Sequence, residues 1–167
     1  SSAGVVIVDS FNQLLSVIED EFKYSDAVIV EEYIKGREIT CGVVDALTKD
    51  EAYPLHPVEI IIPDGVPFFN YEFKYNGKIE RICPANLSKE KTEEIQNLAI
   101  LAHNALGLRH YSRADFIISP KRGTFILEVN SLPDIAEESL VLKSLRAGGM
   151  ELPEFIDHVI QLALSKK

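Results

Sequence analysis

Two apolar runs, residues 112–119 and 124–130, flank the tetrad Pro120-Lys121-Arg122-Gly123. This pattern predicts a β-hairpin, since a four-residue loop is a common antiparallel connection. If those four residues form the loop, Ser119 pairs with Thr124, and paired residue numbers sum to a constant. Asp115 then lies opposite Glu128, and Arg113 opposite Asn130. Side chains alternate faces along a strand. Arg113, Asp115, Glu128 and Asn130 are therefore expected on one face. Ala114, Phe116, Ile118, Phe125, Leu127 and Val129 are expected on the other, which is a core face.

Two carboxylates directly opposite each other are unfavourable on a bare sheet, so something cationic is expected between them. A hard divalent ion is one answer. Two carboxylates and an amide carbonyl offer only oxygen, which suits Mg²⁺, Mn²⁺ or Ca²⁺ rather than zinc. Mg²⁺ keeps waters and shares itself with substrate phosphates, so one or two carboxylates suffice. Arg113 beside it would stabilise a developing negative charge. The other answer is Arg113 itself, paired with Asp115 or Glu128 on a solvated face, with Asn130 ending the strand. A one-residue slip would move every side chain to the opposite face.

The chain has 167 residues, enough for one ordinary domain or one domain plus part of another. With 46% hydrophobic and 26% charged residues it is a globular sequence, not a disordered one. A net charge of −9 argues against broad contact with nucleic acid or anionic membranes, but leaves room for a local phosphate pocket. Cys41 and Cys83 are too few for a disulfide framework and form no C-x-x-C, which fits a reducing cytoplasm. No apolar run approaches membrane-spanning length. The opening Ser1-Ser2-Ala3-Gly4 is a small-residue loop ahead of a strand at residues 5–8. It reads either as the truncated remnant of an anion-binding loop or as a leftover cloning segment.

Ser10 is placed to cap a helix running to about Tyr24, with Phe11, Leu14, Leu15, Ile18 and Phe22 at helical spacing. Residues 27–34 read as a β-branched strand ending at Lys35-Gly36. Residues 37–47, 53–62 and 79–83 read as further strands. Residues 66–77 are aromatic and polar without a period, which predicts a functional loop or one packed on its own aromatics. Ser88 caps an amphipathic helix carrying Ile95, Leu98, Ala99, Ala102, Ala105 and Leu106, and Gly107 stops it. Two more helices follow, near residues 137–147 and from Leu152 to about Leu164. His56, His103, His110 and His158 show no ligand spacing and are expected to be scaffold or surface. Strands in hairpins with helices set apart point to an α+β fold.

The ordered segments S-S-A-G, V-E-E-Y-I-K-G-R-E-I-T, N-Y-E-F-K-Y, C-P-A-N-L-S, Y-S-R-A-D-F, L-E-V-N-S-L-P and E-E-S-L resemble the D-alanine–D-alanine ligases of the ATP-grasp superfamily. The resemblance covers nearly the whole chain and implies a carboxy-terminal fragment without the amino-terminal domain. Residues 1–34 would be part of a small lid subdomain, and 35–167 the catalytic, ATP- and Mg²⁺-binding domain. The implied fold is a largely antiparallel sheet flanked by helices. In the implied reaction, ATP phosphorylates one D-alanine and the amine of a second attacks the acyl phosphate, giving the dipeptide used in peptidoglycan. Asp115, Glu128 and Asn130 would hold two Mg²⁺ (or Mn²⁺) ions. Arg113 would stabilise the acyl phosphate and the tetrahedral intermediate.

By the same resemblance, Lys74 would contact the transferring phosphoryl group, and Tyr75 would hydrogen-bond toward Ser1 to lock the loop. Ser2 would donate backbone N–H groups to phosphate. Glu31 would accept from the adenine amino group, the backbone of Glu32, Tyr33 and Ile34 would pair with the ring, and Glu38 would bind the ribose. Ser139 and Leu140 would bind the carboxylate of the second D-alanine at a helix N-terminus. The family is cytoplasmic and commonly dimeric, with neither nucleic acid nor membrane as a partner. The fragment alone is expected to be inactive.

One departure stands out. Where the family usually has glycine after Leu-Pro, beside the second substrate, this chain has Asp134. A side chain and a charge there bear on activity and substrate choice, and a backbone angle reserved for glycine would be lost. Two alternatives follow: another ATP-grasp ligase of the D-alanine–D-lactate type, or a non-catalytic nucleotide-binding relative.

Overall fold

The computed structural model describes residues 5–47, 52–61 and 80–165. The expectations for Ser1, Ser2, Lys74, Tyr75 and the 66–77 loop lie outside the described residues. The chain forms two compact units, Ser1–Lys35 with Ile62–Ile79, and Gly36–Ile61 with Glu80–Lys167. Among the described residues no helix is long and apolar enough to cross a membrane.

In the first unit, helix α1 spans Phe11–Glu21 and is capped as expected. The Ser10 hydroxyl accepts from the Gln13 N–H at 3.3 Å. Residues 5–8 and 27–34, both expected as strands, carry no assigned strand. β-branched composition marks a segment that fits a sheet surface, but a strand also needs a ladder partner. No ladder reaches either segment among the described residues.

The second unit is built on a six-stranded antiparallel sheet ordered β4-β3-β1-β5-β6, with β2 also paired to β1. The strands are β1 (Arg37–Asp45), β2 (Ala52–Pro54), β3 (Val58–Ile61), β4 (Glu80–Ile82), β5 (Tyr111–Ser119) and β6 (Gly123–Asn130). The single strand expected over 53–62 is split in two. Both pieces pair with the same edge of β1, but in registers one residue apart: Val43 opposite Pro54, Thr40 opposite Val58. Prolines at 54 and 57 lack the N–H that a continuous ladder needs. The extra residue drives Leu55 over Gly42, where a Cβ would come within 2.8 Å of the Leu55 side chain. Gly36 is also obligatory, since a Cβ there would meet the Ile118 carbonyl oxygen.

The hairpin forms, with one correction. Arg113 pairs with Asn130 and Asp115 with Glu128, as expected, but Phe116 pairs with Ile126 and Ser119 with Gly123. The loop holds three residues, not four, and Gly123 closes it at φ +83°. A β-bulge between Asp115 and Phe116 absorbs the difference, leaving Leu127 as the extra residue. Beyond the bulge Ile126 and Thr124, not Leu127 and Phe125, stand opposite Phe116 and Ile118. Leu127 is 52% exposed.

Helix α2 (Lys89–Ala105) lies on the apolar face. Its Ile95 and Ala99 pack with Ile39, Cys41, Val43, Ala114 and Phe116. Burial pushes the Cys41 thiol pKa up, so it stays protonated. His103, on the same helix face, is fully buried, with its ring 2.7 Å from Ser112 Oγ and 3.1 Å from Asp45 Oδ1. It is scaffold, as expected. Helices α3 (Leu140–Ala147) and α4 (Leu152–Ser165) form a second core, in which Val141, Leu142, Leu145 and Phe155 meet Val44 and Leu55. This core covers the β2 end of the opposite sheet face, and the end carrying Glu38, Asp115 and Arg113 keeps its polar residues.

Candidate active site

Asp115 is gripped from three strands. On β5, Arg113 donates from Nε to Oδ1 at 2.9 Å and from Nη2 to Oδ2 at 2.7 Å, a bidentate pair. From β6, Asn130 Nδ2 donates to Asp115 Oδ2 at 3.2 Å and to Glu128 Oε1 at 3.0 Å. From β1, Thr40 Oγ1 donates to Asp115 Oδ1 at 2.5 Å. Arg113 Nη2 also lies 4.0 Å from Glu128 Oε1. Burial works against the Arg113 charge. The Asp115 hydrogen bonds and the charges of Asp115, Glu128 and Asp134 together outweigh it and hold the Arg113 pKa above the ordinary arginine value.

The four residues expected to share a face do so, and both sequence-level answers to their charge fit this geometry. Arg113 is the internal counter-cation of the two carboxylates. The donor set of two carboxylates and one amide is also all oxygen once the Asn130 amide turns its carbonyl inward, which suits a hard divalent ion. Glu128, with a side chain 64% exposed, is the more accessible carboxylate.

Register extends this face across the sheet. Glu38 lies opposite Ile117, two residues along β5 from Asp115, so it stands on the same face. Burial, and then the neighbouring Asp115 charge, raise its carboxyl pKa above the usual range. Ile60 pairs with both Glu38 and Arg81, which puts Arg81 on this face too. Arg81 Nη1 donates to the Glu138 carbonyl at 3.1 Å, tying β4 to the chain that leads into α3. Sequence reasoning missed Thr40 and Arg81. A polar residue within an apolar strand was the available signal for Thr40.

Beyond Asn130 the chain turns through Asp134. Its Oδ1 accepts from the Ala136 N–H at 2.9 Å, a local turn bond. Ala46 and His110 are the non-glycine residues at positive φ among those described, so Asp134 needs no glycine-only backbone angle. The concern about its backbone falls away, and its charge near Arg113 stays. Ser139 is the N-cap of α3, which starts at Leu140 rather than near 137. Its hydroxyl accepts from Leu142 N–H at 3.1 Å, and its own N–H goes to the Ala136 carbonyl. The N–H groups left to face an anion begin at Leu140.

Glu31, Glu32, Tyr33 and Ile34 belong to the first unit, with Glu31, Glu32 and Tyr33 exposed. No group of three or more His, Cys, Asp or Glu side chains clusters as a metal site among the described residues. A cavity of about 370 Å³ lies by Tyr53, His56, Ser144 and Met150. None of the expected site residues lines it.

A family profile described as "D-ala D-ala ligase C-terminus" matches residues 1–161. The D-alanine–D-alanine ligase of Desulfotalea psychrophila is 40% identical over 168 residues, covering 99% of this chain and 51% of the relative. Among solved structures, the D-alanine–D-alanine ligase of Bacillus anthracis complexed with ATP is 30% identical with a TM-score of 0.79, over 98% of this chain and 51% of that one. The VanG D-Ala:D-Ser ligase of Enterococcus faecalis is 31% identical with a TM-score of 0.81, over 97% and 46%. This chain spans about half the length of the curated relatives it matches. An antiparallel sheet that brings Arg113, Asp115, Glu128 and Asn130 to one face, together with a family match over nearly every residue, makes this chain a member of the D-alanine–D-alanine ligase family, from its carboxy-terminal part.

Proposed function

We propose that the complete polypeptide carrying this chain is an ATP-dependent ligase that joins two D-alanines through a D-alanyl phosphate, for peptidoglycan precursor synthesis in the cytoplasm. The observation that carries this reading is the Arg113–Asp115–Glu128–Asn130 face, in a chain whose curated relatives are named D-alanine–D-alanine ligases. ATP is the phosphoryl donor, a reading supported by the Bacillus anthracis ligase having been solved in complex with ATP. Asp115, Glu128 and Asn130 hold the divalent cations. A Mg²⁺ or Mn²⁺ ion held by these residues would supply positive charge to offset that of the transferring phosphoryl group.

Arg113 lies within reach of both carboxylates and presents its charge to the acyl phosphate and to the oxyanion formed on amine attack. Glu38 takes the ribose hydroxyls, and the segment 31–34 the adenine edge. The N–H of Leu140 and the Ser139 hydroxyl take the carboxylate of the second amino acid at the positive end of α3. By the family resemblance, Lys74 contacts the transferring phosphoryl group, Ser2 donates its backbone N–H to phosphate, and a hydrogen bond from Tyr75 toward Ser1 keeps water from the acyl phosphate. The complete protein acts as a homodimer.

The experiment is phosphate release by the complete polypeptide with ATP, Mg²⁺ and D-alanine. Release that depends on D-alanine supports the reading, and its absence under saturating substrates overturns it. A second reading, a ligase whose acceptor is not D-alanine, is favoured by the Asp134 charge acting on Arg113 and by the comparable similarity of the D-Ala:D-Ser ligase. Release stimulated by D-serine or D-lactate well beyond D-alanine alone selects it.

A further inference from the structure

We propose that Thr40 is a positioning residue that holds the Asp115 carboxylate in the orientation a divalent cation requires. This inference rests on Asp115 being a metal ligand. Thr40 lies directly opposite Asp115 in the β1–β5 ladder and is 2% exposed. Its Oγ1 lies 2.5 Å from Asp115 Oδ1 and 3.2 Å from the Ala114 carbonyl. A hydroxyl has one proton to give, and the shorter, charge-assisted contact takes it.

The identity of the residue is informative. Valine matches threonine in shape and strand preference, so neither the strand nor the burial of this position calls for a hydroxyl. A buried hydroxyl is costly unless bonded, and here the bond goes to the carboxylate. The other two grips on Asp115 are shared. Arg113 and Asn130 both also reach Glu128, and both have roles toward substrate or cation. The Thr40 hydroxyl makes no hydrogen bond to Glu128, so its bond to Asp115 is not shared with the second carboxylate. Partners that orient metal-ligating side chains are typically worth 10–100-fold in metal affinity or activity.

The test uses the complete polypeptide, with Mn²⁺ as probe, titrated by electron paramagnetic resonance in saturating ADP so that no turnover occurs. Thr40→Val is expected to raise the Mn²⁺ half-saturation roughly 10–100-fold. Thr40→Ser restores it to near the parent value. In turnover assays the Mg²⁺ concentration for half-maximal rate rises in parallel, while the D-alanine KM stays put. Asp115→Asn is run alongside. If it loosens Mn²⁺ and Thr40→Val does not, the positioning role is overturned and the metal site stands. If Asp115→Asn leaves Mn²⁺ binding unchanged, the metal reading fails and the Thr40 role falls with it. A Thr40→Ser protein as weak as Thr40→Val also overturns the proposal, because the hydroxyl is then not the cause. Should Thr40→Val melt far below the parent, Thr40→Cys against Thr40→Ser gives the same comparison.

Discussion

The β5–β6 hairpin has two halves divided by the bulge after Asp115, and they do different work. In the half that ends at Arg113 and Asn130, polar side chains bind one another across the strands and face away from α2. In the half toward the loop, Phe116 is buried under α2, and Thr124 donates to Glu94 of α2 at 2.5 Å, with Lys91 nearby. One half gathers the exposed and half-buried polar groups of the candidate site. The other fastens the sheet to its helix. The extra residue at the bulge lets both halves keep their preferred faces despite a loop one residue shorter than the sequence suggests. Substitutions should therefore separate activity from stability according to the half they fall in.

The largest expected effect is on activity. Glu128→Gln should lower turnover of the complete polypeptide on the order of 10³-fold, equivalent to about 4 kcal/mol of transition-state stabilisation. Its melting temperature should hold within about 2 °C, as expected for a largely exposed side chain. A rate within tenfold of the parent would remove the metal assignment. In the other half, Phe116→Ala should cost about 3–5 kcal/mol in urea unfolding, since Phe116 is 1% exposed in the core. A cost below about 1 kcal/mol would show that the α2 interface is not where stability lies.

Smaller effects test the junctions. Gly123→Ala meets open space, so its cost comes from backbone conformation alone, about 1–2 kcal/mol at φ +83°. Metal dependence should not change, and a changed Mn²⁺ affinity would mean that the two halves are coupled through the strand. The smallest effect concerns Glu38. Its folded pKa is raised above the unfolded one by burial and by Asp115. The folded state therefore holds the proton more tightly, and stability falls as pH rises through the folded pKa. Glu38→Gln should melt slightly higher than the parent at pH 7, by about 1–2 °C after solvent screening, and equally below about pH 4. A pH-independent difference would contradict the shift.

The site half of the hairpin was legible because alternation alone assigns its faces. The loop half was not. Choosing between a three- and a four-residue loop depended on Gly123 adopting positive φ and on Thr124, rather than Phe125, meeting Glu94 across 30 residues of chain. Residues 27–34 had strand composition, yet composition does not supply a partner strand. Thr40 was overlooked because its partner lies 75 residues away. His103 occupied a legible helix face, but Asp45 and Ser112, the partners that allow its burial, lay on other elements.

Local chemistry determined the caps at Ser10 and Ser88, the stop at Gly107, the two-sided hairpin and the convergence of Arg113, Asp115, Glu128 and Asn130. Each depends on periodicity or bonding within a few residues. The tertiary structure alone decided the register slip at Leu127, the break between β2 and β3, and the hold of Thr40 on Asp115. Those depend on which distant surfaces pack together, because the ladder follows the register that buries the most apolar area while leaving the fewest polar groups unpaired.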